Sequence, residues 1–387
     1  MRRSTDRILT THCGSLARPT AVLDLLRARH EGVLTDPGAY DEAVRAAVFD
    51  CVRRQVAAGI DVVADGEQGR LGHASYVRDR LAGFEPIPGG PRSRLEDFAT
   101  EAALFPEYHE RYFGTSMQGG AVVRPTPLQC TGPIAYHGDD TLQQDLSNLR
   151  AALEAVGGRD AFVAAVAPSG VGTNAYYDTE DDYLFALADA LAVEYRAIVE
   201  AGFDLQIDDP FLTEVCSYST APLPERLAWA ERYVAAINRG LRGIPPDRVR
   251  FHTCYGINQG PRVTDVPLAD IVHLVLQVDA GAYSFESANP RHEHEYHLWE
   301  DVPLPEDKIL VPGVVTHSTS IVEHPELVAE RTVRFAERVG PSRVVAGVDC
   351  GFSSQATYTS EIHPDIAWAK LEALAEGARL ASRRLFG

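Results

Sequence analysis

The stretch Arg248–Gly256, RVRFHTCYG, holds the residues best suited to chemistry. It reads as a short β-strand ending in His252-Thr253-Cys254. Side chains alternate faces along a strand, so His252 and Cys254 point the same way. An imidazole and a thiolate side by side supply half of a tetrahedral zinc site. Glu286, in YSFES, is a candidate third ligand, and Cys350, in VVAGVDCG, a fourth. Each sits at the end of its own predicted strand, and that recurrence carries more weight than any one residue.

Two thiolates and a carboxylate around Zn²⁺ make a net negative site. Such a site activates carbonyls poorly, because its ligands already feed charge to the metal. It still lowers the pKa of a bound thiol from about 8.5 into the neutral range. The pattern therefore favours alkylation of a metal-bound thiol over hydrolysis of peptides or esters.

Elements that alternate along the chain must position these residues. Strands are expected at Ile8–Ser15, Ile60–Ala64, Phe162–Val166, Phe203–Ile207, Arg248–Cys254, Tyr283–Phe285, Ile309–Val315 and Val344–Val348. Apolar residues at helical spacing predict helices over Tyr40–Ala58, Leu142–Val156, Asp181–Glu200, Pro224–Asn238, Leu268–Val278, Pro325–Val339 and His363–Leu385. This rhythm implies a parallel sheet, and eight strands suit a (β/α)8 TIM barrel. A ninth candidate, Leu128–Tyr136, is set aside, because it follows an irregular stretch and carries Pro125, Pro127 and Pro133. Residues 69–158 are then a long insertion after the second strand, within one barrel domain spanning 1–387. Part of that excursion, with PIPGGPRSR and FPEYHERYFG, reads as a lid over one face. No Gly-rich dinucleotide fingerprint follows the first strand, which argues against an open doubly wound sheet.

In such a barrel, chemistry collects at the C-terminal ends of the strands. Ser15, Glu67, Asp208, His252, Cys254, Glu286, His317 and Cys350 all fall there, with Cys13 a further candidate to line the pocket. Taken singly, each has a plainer reading: Ser15 a turn cap, Asp208 a helix cap, His317 a buried hydrogen-bonding histidine. The run Arg291–His297 reads as a polar loop, with a second metal site as the rival.

The totals narrow the class further. The chain has 387 residues, 45% of them hydrophobic, and a formal net charge of −19. That charge disfavours nucleic acid and anionic membranes as partners. No apolar h-region or membrane-length run appears. Six cysteines in so long a chain are not a disulfide framework, which fits a reducing cytoplasm.

These motifs also resemble the catalytic C-terminal barrel of the cobalamin-independent methionine synthases, especially their stand-alone single-barrel relatives. The matching pieces are TTHCGSLARP, GIDVVADGEQGR, EAGFDLQIDDP, RFHTCYG, YSFESANPR, ILVPGVVTHS and RVVAGVDCGF, in family order. The resemblance implies that His252, Cys254, Glu286 and Cys350 bind zinc, and that Ser15, Glu67 and Asp208 hold the amino-acid part of homocysteine. His317 matches the family's proton donor, and an imidazole suits protonation of a departing amine. The reaction implied is methyl transfer to homocysteine, giving methionine. Two features depart from the long enzymes: the N-terminal barrel is absent, and VAPSGVGTNAYY stands where the family has a tryptophan associated with folate. The resemblance therefore does not carry over the polyglutamyl folate, and a methylated corrinoid protein is an alternative donor.

Three other readings share parts of the pattern. A related barrel could direct a zinc thiolate at another thiol or donor, such as an epoxide. A lyase or decarboxylase on a similar barrel would need no metal. Four protein ligands around one ion would also suit a purely structural zinc.

Overall fold

The computed structural model describes residues 1–87, 99–115, 121–123, 126–256 and 260–387. Its strands in chain order are β1 (Leu9–Thr10), β2 (Val62–Val63), β3 (Leu81–Pro86), β4 (Leu128–Tyr136), β5 (Asp160–Val166), β6 (Thr173–Asn174), β7 (Asp204–Asp208), β8 (Val249–His252), β9 (Ala282–Phe285), β10 (Ile309–Val315) and β11 (Val345–Val348). Its helices are α1 (Thr20–His30), α2 (Pro37–Ala57), α3 (Ala99–Leu104), α4 (Pro106–Thr115), α5 (Asp139–Ala155), α6 (Glu180–Glu200), α7 (Pro210–Tyr218), α8 (Leu223–Gly240), α9 (Leu268–Val275), α10 (Pro325–Val339) and α11 (Pro364–Leu385).

Eight strands form one parallel sheet in the order β1-β11-β10-β9-β8-β7-β5-β2. A parallel bridge between Thr11 and Val62 joins the two ends. The sheet is therefore a nearly closed (β/α)8 barrel, as the strand count predicted. The set-aside strand β4 lies outside it, pairing antiparallel with β3 and parallel with β6. Both β3 and β4 fall between β2 and β5 in the chain, in the long insertion. Its described residues hold more regular structure than the sequence suggests, because Pro86 and Pro133 interrupt the alternation that would announce strands. Much of the expected lid, residues 88–98 and 116–120, lies outside the described residues.

Local signals explain most helix starts. Asp36 accepts a hydrogen bond from Ala39 N–H and precedes Pro37, the first residue of α2. Thr179 caps α6, whose first turn holds Glu180, Asp181 and Asp182, all favourable at the positive end of a helix. At α7 the cap is Asp209, not Asp208: its carboxylate accepts from Phe211 and Leu212 N–H. Asp208 is thereby released from capping, which corrects the plainer reading of that residue. Helices α1 and α7 were not expected from periodicity; both are short, and α7 is buried along most of its length.

The barrel interior is layered. Leu9, Ala282, Ile309, Val311 and Val345 form an apolar layer. Nearer the mouth, Arg250 crosses the interior. It donates to Gln206 Oε1 at 2.6 Å, to Thr11 Oγ1 at 2.9 Å and to the His12 carbonyl at 2.8 Å. Its guanidinium also lies 3.8 Å from the Phe162 ring centroid. A buried cation with so many partners ties four strands together at the floor of the mouth. Among the described residues, no helix is long and apolar enough to cross a membrane.

Candidate metal centre and the adjoining pocket

Backbone anchors fix the strand ends around the mouth. Thr253 N–H donates to the Ser284 carbonyl at 3.0 Å, and Thr253 Oγ1 to the Asp209 carbonyl at 2.8 Å. These bonds hold Cys254 between the ends of β7 and β9. Asp349 Oδ1 accepts from Ser287 N–H at 2.7 Å and Ala288 N–H at 2.8 Å. That clamp joins the DCG turn after β11 to the turn carrying Glu286.

The consequence is a cluster of donors from distant positions. Ligand atoms of His252, Cys254 and Cys350 lie within 4.8 Å of one another, all three residues being buried. The two sulfurs are 3.2 Å apart. Tetrahedral zinc with Zn–S bonds of about 2.3 Å asks for roughly 3.8 Å between its sulfurs, a small opening. One imidazole and two thiols form a donor set suited to zinc, so these three residues fit the ion. Burial and the neighbouring Arg250 push His252 down to about 3, so the ring is neutral and its lone pair available. A hydrogen bond with Cys350, then burial, pushes the Cys254 thiol well up. In Cys350, the bond with Cys254 pulls down, but burial and nearby negative groups leave the thiol raised. A cation between them would reverse the balance by favouring thiolates.

Glu286 takes a different place from the other three. Its carboxylate accepts from Tyr255 N–H at 2.7 Å, Asn289 Nδ2 at 2.7 Å and Arg262 Nη1 at 2.9 Å. It groups with His317 and Asp349, again within 4.8 Å. Burial raises Glu286 to about 7, against the pull of Arg262. Arg262 had no signal in the sequence, because its pairing depends on how the chain after Cys254 folds back.

Ser15, Glu67 and Asp208 line the same small cavity as His252, Cys254 and Cys350, with a volume of about 90 Å³. Ser15 Oγ is 3.3 Å from Ser354 Oγ. Glu67 is 2% exposed and sits at φ +56° directly after Gly66 at φ +70°. A glutamate in the left-handed region is strained, and the turn aims it into the cavity. Burial raises Glu67 to about 7, opposed by Arg70 and Arg18. Asp208 is pushed well up, by burial and by the charge of Glu67, while accepting from Gln206 Nε2 at 2.6 Å. Two buried carboxyls, both reluctant to ionise, would be stabilised by an incoming ammonium group.

His317 lines a neighbouring recess, with Gly351 shared between the two. Burial and Arg262 hold its pKa well below the usual value. Cys13 also lines the cavity, donating to the Val348 carbonyl at 2.9 Å and lying 3.8 Å from His252 Nδ1. His73, Glu214 and Gln355 line it too and were missed in the sequence. Only the placement of GHAS, TEVC and SSQAT near strand ends could have marked them. In the Arg291–His297 run, His292 bonds Asp265 and Glu295, and stacks on Tyr255 with centroids 3.9 Å apart. His297 bonds Glu300 at 2.8 Å. His292 is thus buried against carboxylates and the Tyr255 ring, whereas His297 pairs with Glu300 at the surface.

Fold and site together define an α/β barrel with a thiol-rich pocket at its mouth, a candidate metal site. Comparison places the chain among relatives of the cobalamin-independent methionine synthases, the resemblance its motifs carry. It is 25% identical over 385 residues to a methionine synthase of Thermococcus kodakarensis, covering 97% of this chain and 94% of that one. It is also 25% identical over 352 residues to a 5-methyltetrahydropteroyltriglutamate–homocysteine methyltransferase of Streptomyces avermitilis, of which it spans 39%. A B12-independent methionine synthase from Shewanella shares the fold at TM-score 0.71 and 18% identity, covering 98% of this chain and 99% of that one. No family model matches the chain.

Proposed function

We propose that this protein is a zinc-dependent thiol methyltransferase with homocysteine as acceptor and methionine as product. The observation that carries the proposal is one cavity lined by the three metal-type ligands and by Ser15, Glu67 and Asp208. The methionine synthases it resembles supply the acceptor. The whole chain, 1–387, is read as one such barrel domain with 69–158 as its insertion, working in a reducing cytoplasm where its six cysteines stay free.

His252, Cys254 and Cys350 would hold the ion, and Glu286 would complete the set by leaving Arg262. When bound, zinc keeps a substrate thiol as thiolate at neutral pH. Glu67 and Asp208 take the substrate ammonium, which stabilises their ionised forms, and Ser15 Oγ donates to the substrate carboxylate. The buried walls exclude water and leave the sulfur poorly solvated. His317, held neutral by burial, would take the proton that the substrate thiol gives up and pass it to the leaving group.

The test is metal analysis of the purified protein, followed by zinc X-ray absorption on adding homocysteine. One zinc per chain and an added sulfur neighbour support the proposal. Bound zinc with no new sulfur neighbour removes homocysteine as acceptor, and a metal-free protein with full activity removes the mechanism.

A further inference from the structure

Strands β7 and β8 pair so that Gln206 lies opposite Arg250 and Asp208 opposite His252. Residues two apart on a strand share a face, so these four side chains make two tiers inside the barrel. Asp208 and His252, the upper tier, line the cavity at the mouth. Gln206 and Arg250, the lower tier, are buried beneath them, and the proposed reaction gives neither a part.

The lower tier fixes the upper one. An arginine carries donors and no acceptor, so the amide atom that meets it must be the oxygen. Arg250 Nε donates to Gln206 Oε1 at 2.6 Å, and Arg250 Nη2 bonds the same oxygen. The amide nitrogen is thereby turned the other way. Gln206 Nε2 uses both of its hydrogens, one on Asp208 Oδ1 at 2.6 Å and one on the Cys13 carbonyl at 2.8 Å. Thr11 Oγ1 and the His12 carbonyl hold the guanidinium in turn, at 2.9 and 2.8 Å. Nothing in this chain of bonds can rotate alone.

Asp208 therefore has one oxygen tied to the wall and the other left for a ligand in the cavity. The terminal torsion of an aspartate is broad, and without the bond from Gln206 the second oxygen would sweep an arc. An oxygen held in one direction rewards a donor at one place. It also rejects a ligand that lacks the donor, because the buried carboxyl is then left unmet.

We propose that Gln206, locked by Arg250, is a positioning residue that aims Asp208 at the ammonium group of the acceptor and makes the pocket select amino thiols over thiols without an amine. This role rests on Asp208 taking the substrate ammonium, as proposed above.

Homocysteine and γ-mercaptobutyrate, the same thiol acid without the amine, are titrated calorimetrically into the full-length, zinc-loaded protein. The wild type is expected to prefer homocysteine by at least about a hundredfold. Gln206→Met is expected to narrow that ratio about tenfold, the worth of one hydrogen bond to a charged group, with zinc content unchanged. Gln206→Asn is one methylene too short to hold Arg250 and Asp208 together. It keeps an amide for the buried cation and is expected to narrow the ratio alike, so the test survives if the methionine variant does not fold. Ser15→Ala is expected to weaken both thiols together and leave the ratio as it is. An unchanged ratio in the folded Gln206 variants overturns the positioning role while homocysteine stands as acceptor. Equal narrowing in Ser15→Ala overturns it too, since the ratio would then report any damage to the pocket. No homocysteine binding by the wild type overturns the acceptor itself, and this role with it.

Discussion

The sulfurs of Cys254 and Cys350 lie 3.2 Å apart, although 96 positions separate them in the chain. Strands β8 and β11 are not neighbours in the barrel; the two thiols meet because each lies just past the end of its strand, at the same mouth. Two unbridged thiols at this spacing beside His252 form a candidate metal site.

Replacing Cys350 by Ser is expected to lower zinc affinity by at least about tenfold, since a hydroxyl is a far poorer zinc ligand than a thiolate. Loading with cadmium gives a second readout. The ultraviolet thiolate-to-metal band should fall in Cys350→Ser and in Cys254→Ser, and stay unchanged in Cys216→Ser, outside the cluster.

Glu286→Gln separates an exchanging ligand from a structural one. Gln can still meet Tyr255 N–H, but it loses the charge that pairs with Arg262. The expected result is zinc retained by His252, Cys254 and Cys350, with turnover reduced by roughly tenfold or more. Zinc loss together with unfolding would mark the site as structural.

Glu67 sets a pH dependence. Its folded pKa, about 7, is raised above the ordinary value of 4.5. Between those values the folded state binds the proton more tightly than the unfolded state does. Stability from this group is therefore complete below about 4.5 and declines as pH rises to 7, by about 3 kcal/mol in all. Urea titrations from pH 4.5 to 8 should show that decline in the wild type and a flatter curve in Glu67→Gln. In kinetics, the homocysteine KM should fall as pH rises through about 7, where the carboxylate forms.

Gly351 leaves room for Ser15. A Cβ placed on it would fall inside van der Waals contact of Ser15 Oγ and 3.1 Å from Ser354 Oγ. Gly351→Ala is expected to push Ser15 aside, raising the homocysteine KM severalfold while zinc content stays near one per chain. The comparison of steady-state kinetics with metal analysis checks it.

Lys370 supports the His317 segment from behind. It is fully buried and donates to Glu323 Oε2 at 2.8 Å, while Glu323 Oε1 accepts from Thr316 N–H at 2.8 Å. Lys370→Met leaves that carboxylate buried and unpaired, a loss of roughly 3–5 kcal/mol by urea denaturation. Replacing both Lys370 and Glu323 by apolar residues should recover much of it.

The sequence by itself determined the barrel and the rim. Regular alternation of apolar strands with helices leaves few topologies, and short polar motifs at strand ends must then gather at one face. His252, Cys254, Cys350, Ser15, Glu67 and Asp208 were legible for that reason. Tertiary structure alone decided how β3 and β4 pair, since their prolines break the alternation a strand would show. It also decided that Asp209 rather than Asp208 caps α7, because capping depends on one dihedral and not on residue type. Arg262 on Glu286 and Arg250 across the barrel were equally hidden. Each is a buried charge far in the chain from the groups around it, and a lone arginine in a sequence reads as solvent-facing until the packed chain shows what surrounds it.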